Sequence, residues 1–237
     1  MAMTSVTVRV QRAGDRYFGD HGWLRTHHSF SFADYYDPEN LNWGALRVLN
    51  DDCIAPGRGF DTHPHHDMEI ITYVLEGQLE HRDSMGNRGV VGPGGVQYMS
   101  AGTGVAHSEY NPSQDRELRL IQMWILPGRR GLKPAYGQID FTADARLDRW
   151  LTIAAGPGAP APIQFSQNAT FLVSRLESKT IGHNFAAGRL GFLFVADGDV
   201  VVNEEKLNSG DALRIAGLDE LSVTGKGEVL LWDLPKV

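Results

Sequence analysis

Residues 71–83 read ITYVLEGQLEHRD, and residues 192–204 read FLFVADGDVVVNE. Each is an apolar strand, an acid-glycine turn and a second strand. Each is followed by a glycine that opens a further strand, GGVQYM (94–99) in the first and GDALRI (210–215) in the second. The pair reads as two copies of one β unit. Around them lie more short apolar runs bounded by turn residues: WGALRVLND (43–51), LRLIQMWILPG (118–128) and EVLLWDL (228–234). Glycine is abundant, at 27 residues, and helix-period patterns are scarce. An all-β sandwich or barrel follows, with helix a minor component. The stretch AAGPGAPAPIQ (154–164) is the best linker candidate, being rich in Pro, Gly and Ala.

With 237 residues the chain holds one large β domain or two of ordinary size. A net charge of −7 argues against a nucleic-acid-binding surface, which wants a basic face. Arg129, Arg130 and Lys133 read as a solvated loop. The single cysteine, Cys53, excludes an intramolecular disulfide and a cysteine-based zinc site. No apolar run reaches the ~18 residues of a membrane span, and MAMTSVTVRVQRAGDR lacks the apolar core of a signal peptide. The expectation is a cytoplasmic monomer that contacts neither membrane nor nucleic acid.

The two copies differ where chemistry would sit. His63 and His65 lie fourteen and twelve positions before Gly77; the same count back from Gly198 reaches Asn184 and Ala186, with a lone His183 nearby. In a strand, residues i and i+2 share a face, so His63 and His65 can aim two imidazoles into one barrel while His66 faces outward. Downstream, SAGTGVAHSEYNPS (100–113) carries His107 and Glu109, again two apart. Side by side, the strands would bring together three imidazoles and a carboxylate, a set suited to a divalent first-row metal. Glu69 competes for the carboxylate role, and local pattern alone does not decide between the two acids. Phe30, Phe32, Tyr35 and Tyr36 read as core or as the wall of a pocket for a flat ligand. Met99, Met123 and Trp124 read as barrel lining, His27 and His28 as structural, and His81 as exposed.

GRGFDTHPHHDMEIITYVLEG (57–77) resembles the first cupin motif: Gly57, five residues, His63-x-His65, an acid and a closing Gly77. GTGVAHSEYN (102–111) resembles the second: Gly104, two residues, His107, three residues, Asn111. More narrowly, THHSFSFADYYDP (26–38), HPHHDMEIITYVLEG (63–77), EHRDSMGN (80–87) and MSAGTGVAHSEYNPS (99–113) look like the bacterial pirin family, and LLWDLP (230–235) is typical of its C-terminal part. Two departures from the generic motifs, Gly102 in place of a proline and a longer gap from Glu69 to Gly77, match the pirin pattern. They count against a germin-like site in which the acid of the first motif binds metal.

The resemblance implies two cupin barrels (double-stranded β-helix, jelly-roll) in tandem. The expected division is 1–145 for a metal-binding N-terminal domain and 146–237 for a C-terminal domain without metal ligands. It implies His63, His65, His107 and Glu109 as ligands of one divalent transition metal, and excludes Glu69. Iron is expected first, with manganese, cobalt, nickel, copper or zinc as alternatives. The activity implied is that of a quercetin 2,3-dioxygenase, which opens a flavonol ring with dioxygen and releases carbon monoxide, Glu109 serving as the catalytic base. The second reading is a non-enzymatic metal-binding regulator acting through a protein partner. A sugar-phosphate isomerase would want a basic phosphate clamp, and the sequence offers none.

Overall fold

The computed structural model describes residues 6–237; Met1–Ser5, the start of the N-terminal segment read above, lie outside them. The first half contains β1 (Thr7–Gln11), β2 (Tyr17–Asp20), β3 (Leu24–His28), β4 (Leu46–Ile54), β5 (Gly59–His65), β6 (Glu69–Glu76), β7 (Leu79–Asp83), β8 (Arg88–Val91), β9 (Val96–Ser100), β10 (Val105–Tyr110), β11 (Leu118–Ile125) and β12 (Ala135–Ile139). The second contains β13 (Leu151–Ala155), β14 (Ile163–Gln164), β15 (Thr170–Leu176), β16 (Ile181–Asn184), β17 (Leu190–Val202), β18 (Glu205–Asn208), β19 (Ala212–Ala216) and β20 (Glu220–Leu234). Among the described residues the only helices are two short 3₁₀ turns, and none is long and apolar enough to cross a membrane.

The N-terminal barrel packs a seven-stranded sheet, β12-β9-β6-β11-β4-β3-β2, against a four-stranded one, β5-β10-β7-β8. In the C-terminal barrel one nine-stranded sheet curls on itself through β17 and β20, which pair along twelve positions. The tandem cupin architecture expected from the sequence is what the chain builds. The repeat is visible at two corners. Gly77 (φ 76°) and Gly198 (φ 81°) both adopt the left-handed backbone that glycine alone tolerates well. Both also press against a neighbouring strand: a Cβ on Gly77 would meet the Leu118 Cα at 2.9 Å, and one on Gly198 the Lys226 carbonyl.

Strand alternation explains the core. Along β17, Phe192 and Phe194 face the junction between barrels, while Leu193 and Val195 fill the C-terminal interior. Ile121 and Met123 of β11 meet them at the junction with Ile71, Tyr73, Phe171 and Trp232. Each such side chain, fully buried, contributes about 1.5–3 kcal/mol. Strands with two buried faces read as continuous apolar runs, which is why FLFV (192–195) shows no polar alternation.

The segment 154–164 is not an interdomain linker. Ala154 and Ala155 end β13, Ile163 and Gln164 form β14, and the two pair in parallel within the C-terminal sheet. The Pro and Gly residues between them turn the chain back on its own sheet. The barrels also exchange elements: β1, first in the chain, adds to β19 of the far sheet, and Trp43 Nε1 donates to the Gly191 carbonyl at 2.9 Å.

Candidate metal centre

β5 and β10 lie side by side in the four-stranded sheet, with His63 opposite His107 and His65 opposite Val105. A bulge beyond this pair sets Glu109 across from Phe60. The rings of His63, His65 and His107 form a near-equilateral triangle, with centroids 4.8, 4.5 and 4.9 Å apart. One nitrogen from each lies within 4.8 Å of the others. His66 points outward and pairs with Asp67 at 3.0 Å.

Hydrogen bonds fix which nitrogens face the centre. His63 Nδ1 lies 2.7 Å from the Asp61 carbonyl, which can only accept, so Nδ1 carries the proton and Nε2 is bare. His107 is set by a longer relay. Asp83 accepts from the Asn87 side chain at 2.8 Å and from the amides of Met85 and Asn87. Burial works against its charge, but hydrogen bonds from Asn87 and His81 outweigh that and hold its pKa below the ordinary value. His81 Nε2 therefore donates to Asp83 at 3.2 Å. His81 Nδ1 then receives His107 Nδ1–H across a long 3.4 Å contact, leaving His107 Nε2 as a bare lone pair. That atom is buried and has no hydrogen-bond partner. Burial, and then the neighbouring imidazoles, lower the pKa of both His65 and His107 to about 3, so both rings are neutral donors at neutral pH.

Glu109 is buried beside His107 and His81, and their ligating atoms lie within 4.8 Å of one another. Its two oxygens accept from Gln97 Nε2 at 2.7 Å and Gln122 Nε2 at 2.8 Å. Desolvation raises its pKa, opposed chiefly by His81 and Gln122. The two glutamines belong to a polar row across the seven-stranded sheet: His28 opposite Asn50, Asn50 opposite Gln122, Gln122 opposite Thr72, Thr72 opposite Gln97. One register further along, Leu120 faces inward between Asp52 and Val74, and in the next register Leu118 lies opposite Ile54, so the inner face turns wholly apolar there. The barrel interior is thus layered, an apolar floor beneath a polar storey that grips Glu109.

These residues suit a metal. The donor set is three imidazoles with a carboxylate alongside, two of the rings are held in defined tautomers, and an unpartnered buried nitrogen would gain a bond. A cavity of ≈ 180 Å³ opens beside them, bounded by His63, His65 and Glu109 and by the apolar faces of Leu24, Phe32, Phe60 and Trp124. Trp124 meets the His65 ring edge-on at 4.8 Å and donates to Gln122.

Glu69, which the resemblance excludes as a ligand, is buried, accepts from Tyr98 Oη at 2.9 Å and from the Ser166 amide at 2.8 Å, and faces the second barrel. The turn at 66–68, with Asp67 at φ 46°, separates its strand β6 from β5. His81 is fully buried rather than exposed, stacked on Tyr136 with centroids 4.2 Å apart. Of the aromatic run 30–36, Phe32 walls the cavity. Phe30 lies in the core against Phe192, Tyr35 stacks on Tyr17, and Tyr36 is 74% exposed. Met123 packs at the junction, where Trp232 Nε1 meets its sulfur at 3.1 Å. His183 of the second barrel binds Asp233 at 2.9 Å, a carboxylate shared with Arg189. Sequence reading did not single out Asn50, Asp52, Thr72, Gln97 or Gln122. For Thr72, Gln97 and Gln122 the available signal was a polar residue flanked on both sides by apolar or aromatic ones.

Comparison with known proteins agrees with this geometry. Residues 8–125 match the pirin family model, and residues 152–234 match a quercetinase C-terminal cupin domain. A protein of Escherichia coli strain K12 named quercetin 2,3-dioxygenase is 44% identical over 232 residues, spanning 97% of this chain and 100% of the relative. The chain belongs to the pirin family. A pirin-like protein of Caulobacter vibrioides is likewise 44% identical, over 86% of this chain and 88% of its own. Among solved structures, the bacterial pirin YhhW from Escherichia coli in complex with nickel(II) superposes with a TM-score of 0.91 at 42% identity, covering 98% of this pirin and 100% of that chain.

Proposed function

We propose that this pirin is a metal-dependent dioxygenase of the quercetin 2,3-dioxygenase type, opening the heterocycle of a flavonol with dioxygen and releasing carbon monoxide. The observation that carries the reading is the cavity, which places flat aromatic walls and the Glu109 carboxylate beside three convergent imidazoles. The relatives' names support it.

In this reading His63, His65, His107 and Glu109 hold one divalent transition metal. When bound, such a metal would act as a Lewis acid that lowers the pKa of a flavonol hydroxyl and draws dioxygen to the site. The chain's own residues do the rest. Phe32, Phe60 and Trp124 offer a planar ring system an apolar aromatic lining and keep bulk water away. A Glu109 oxygen accepts the flavonol's hydroxyl proton as general base. Gln97 and Gln122 fix that carboxylate, so little reorganisation accompanies the proton transfer.

The test is quercetin turnover under dioxygen on protein loaded separately with iron, manganese, cobalt, nickel or copper, beside a Glu109→Gln variant. Support would be loss of flavonol absorbance with carbon monoxide release, abolished in the variant while the metal stays bound. If no fully loaded form turns over, the activity is wrong and the protein is a metal-dependent binding protein.

A further inference from the structure

The metal-side residues account for one wall of the cavity and leave the opposite wall unexplained. That wall belongs to β3 and β4, where Thr26 pairs with Asp52 and His28 with Asn50. All four side chains line the cavity and are at least 94% buried. Nothing in the ligation of a metal uses them.

Four atoms of this wall have no hydrogen-bond partner: Thr26 Oγ1, His28 Nδ1, Asn50 Oδ1 and Asp52 Oδ1. An unmet buried polar atom costs stability, and an apolar residue would remove the cost. Four together, in adjacent register, describe a surface whose partner comes from outside. The chemistry of that partner follows from theirs. The Asn50 oxygen accepts, the Thr26 hydroxyl can accept or donate, and Asp52, its pKa raised by burial to about 7, accepts once ionised. Burial lowers the pKa of His28 to about 4, so it too offers a lone pair from one nitrogen at neutral pH. The ligand must then bring hydrogen-bond donors. Phe32 and Trp124, packed edge to face on one another at 5.2 Å, give this wall an apolar aromatic flank.

We infer that His28, Asn50 and Asp52 form a recognition wall that receives phenolic hydroxyls of a planar polyhydroxylated substrate, while another part of the same molecule meets the metal side. The inference rests on the flavonol dioxygenase reading and extends it from reaction to substrate selection. These are specificity-determining residues: they select which ring system enters, and the ring-opening chemistry stays with the opposite wall.

The experiment is anaerobic binding to zinc-loaded protein, which removes turnover from the measurement. The probes are quercetin and galangin, flavonols that differ only in the two hydroxyls of the pendant ring. Wild type should bind quercetin about tenfold more tightly, the scale of one or two hydrogen bonds to buried polar groups. Asp52→Ala and Asn50→Ala should each shrink that preference to about threefold or less, with galangin affinity and metal content unchanged. Two variants guard against one failing to fold. Equal affinity of wild type for both flavonols, or an undiminished preference in the variants, overturns the wall alone. Failure of either flavonol to bind zinc-loaded wild type overturns the wall together with the flavonol reading beneath it.

Discussion

Asp51 and Asp52 are neighbours in β4 and serve opposite faces of its sheet. Asp51 faces the barrel junction, where Arg119 grips it through two hydrogen bonds of 3.1 and 3.0 Å and Arg16 approaches to 3.6 Å. Arg119 also donates to the Ala196 carbonyl of the second barrel at 3.0 Å. Asp52 faces the cavity, with no salt bridge. Strand alternation alone separates a structural carboxylate from one available to a ligand.

Removing Asp51 leaves two largely buried guanidinium groups without their counter-charge. Asp51→Ala should cost about 3–5 kcal/mol of unfolding free energy, the usual consequence of breaking a buried ion pair from one side. Urea denaturation reads it as a lower midpoint with an unchanged slope. A loss below about 1 kcal/mol would mean that water reaches the arginines.

Asp52 predicts a pH dependence of stability in the metal-free protein. Burial raises its pKa from the model-peptide value of 3.8 to about 7, opposed by Thr26 and aided by the charges of Asp51 and Glu109. Between those values the unfolded chain has released this proton and the folded chain keeps it. This contribution therefore lowers stability as pH rises from about 4 to about 7 and levels off above, with a ceiling of about 4 kcal/mol. Subtracting the Asp52→Asn curve from that of wild type isolates it; a flat difference would contradict the burial.

Glu69 should behave as a clamp between barrels. Glu69→Gln keeps the shape but weakens the bonds to Tyr98 and Ser166, at a cost of about 1–3 kcal/mol. Metal stoichiometry, measured by inductively coupled plasma mass spectrometry after dialysis, should stay at that of wild type. Loss of the metal in this variant would instead make Glu69 a ligand.

In the proposed site His81 would act on the metal through His107, which it contacts at 3.4 Å. His81→Ala frees the His107 ring to rotate and change tautomer, so metal affinity should fall about 10–100-fold, as for other buried partners of ligating histidines. Competition against a chromophoric chelator measures the change. Unaltered affinity would show that the Asp83–His81–His107 relay does not set the ligand.

The tandem barrels were legible because two glycine corners, Gly77 and Gly198, carry the same backbone demand and flank similar strands. The convergence of His63, His65 and His107, with Glu109 beside His107, was legible because alternate positions of a strand share a face. The wall was not. Burial of Asn50 and Asp52 depends on the strands β3 and β11 that flank β4, which the run RVLNDDCIA (47–55) does not reveal. His81 was misplaced for the same reason: its surroundings come from β10 and β12, distant in sequence. Local pattern left Glu69 undecided because its partners, Tyr98 and Ser166, are distant in sequence.

The most direct test is anomalous diffraction from crystals of metal-loaded protein soaked with quercetin under anaerobic conditions. The account predicts one strong peak within bonding distance of His63, His65, His107 and Glu109, with the flavonol lying between that peak and Asp52 and Asn50. A metal bound without Glu109, or a flavonol seated outside this cavity, would contradict it.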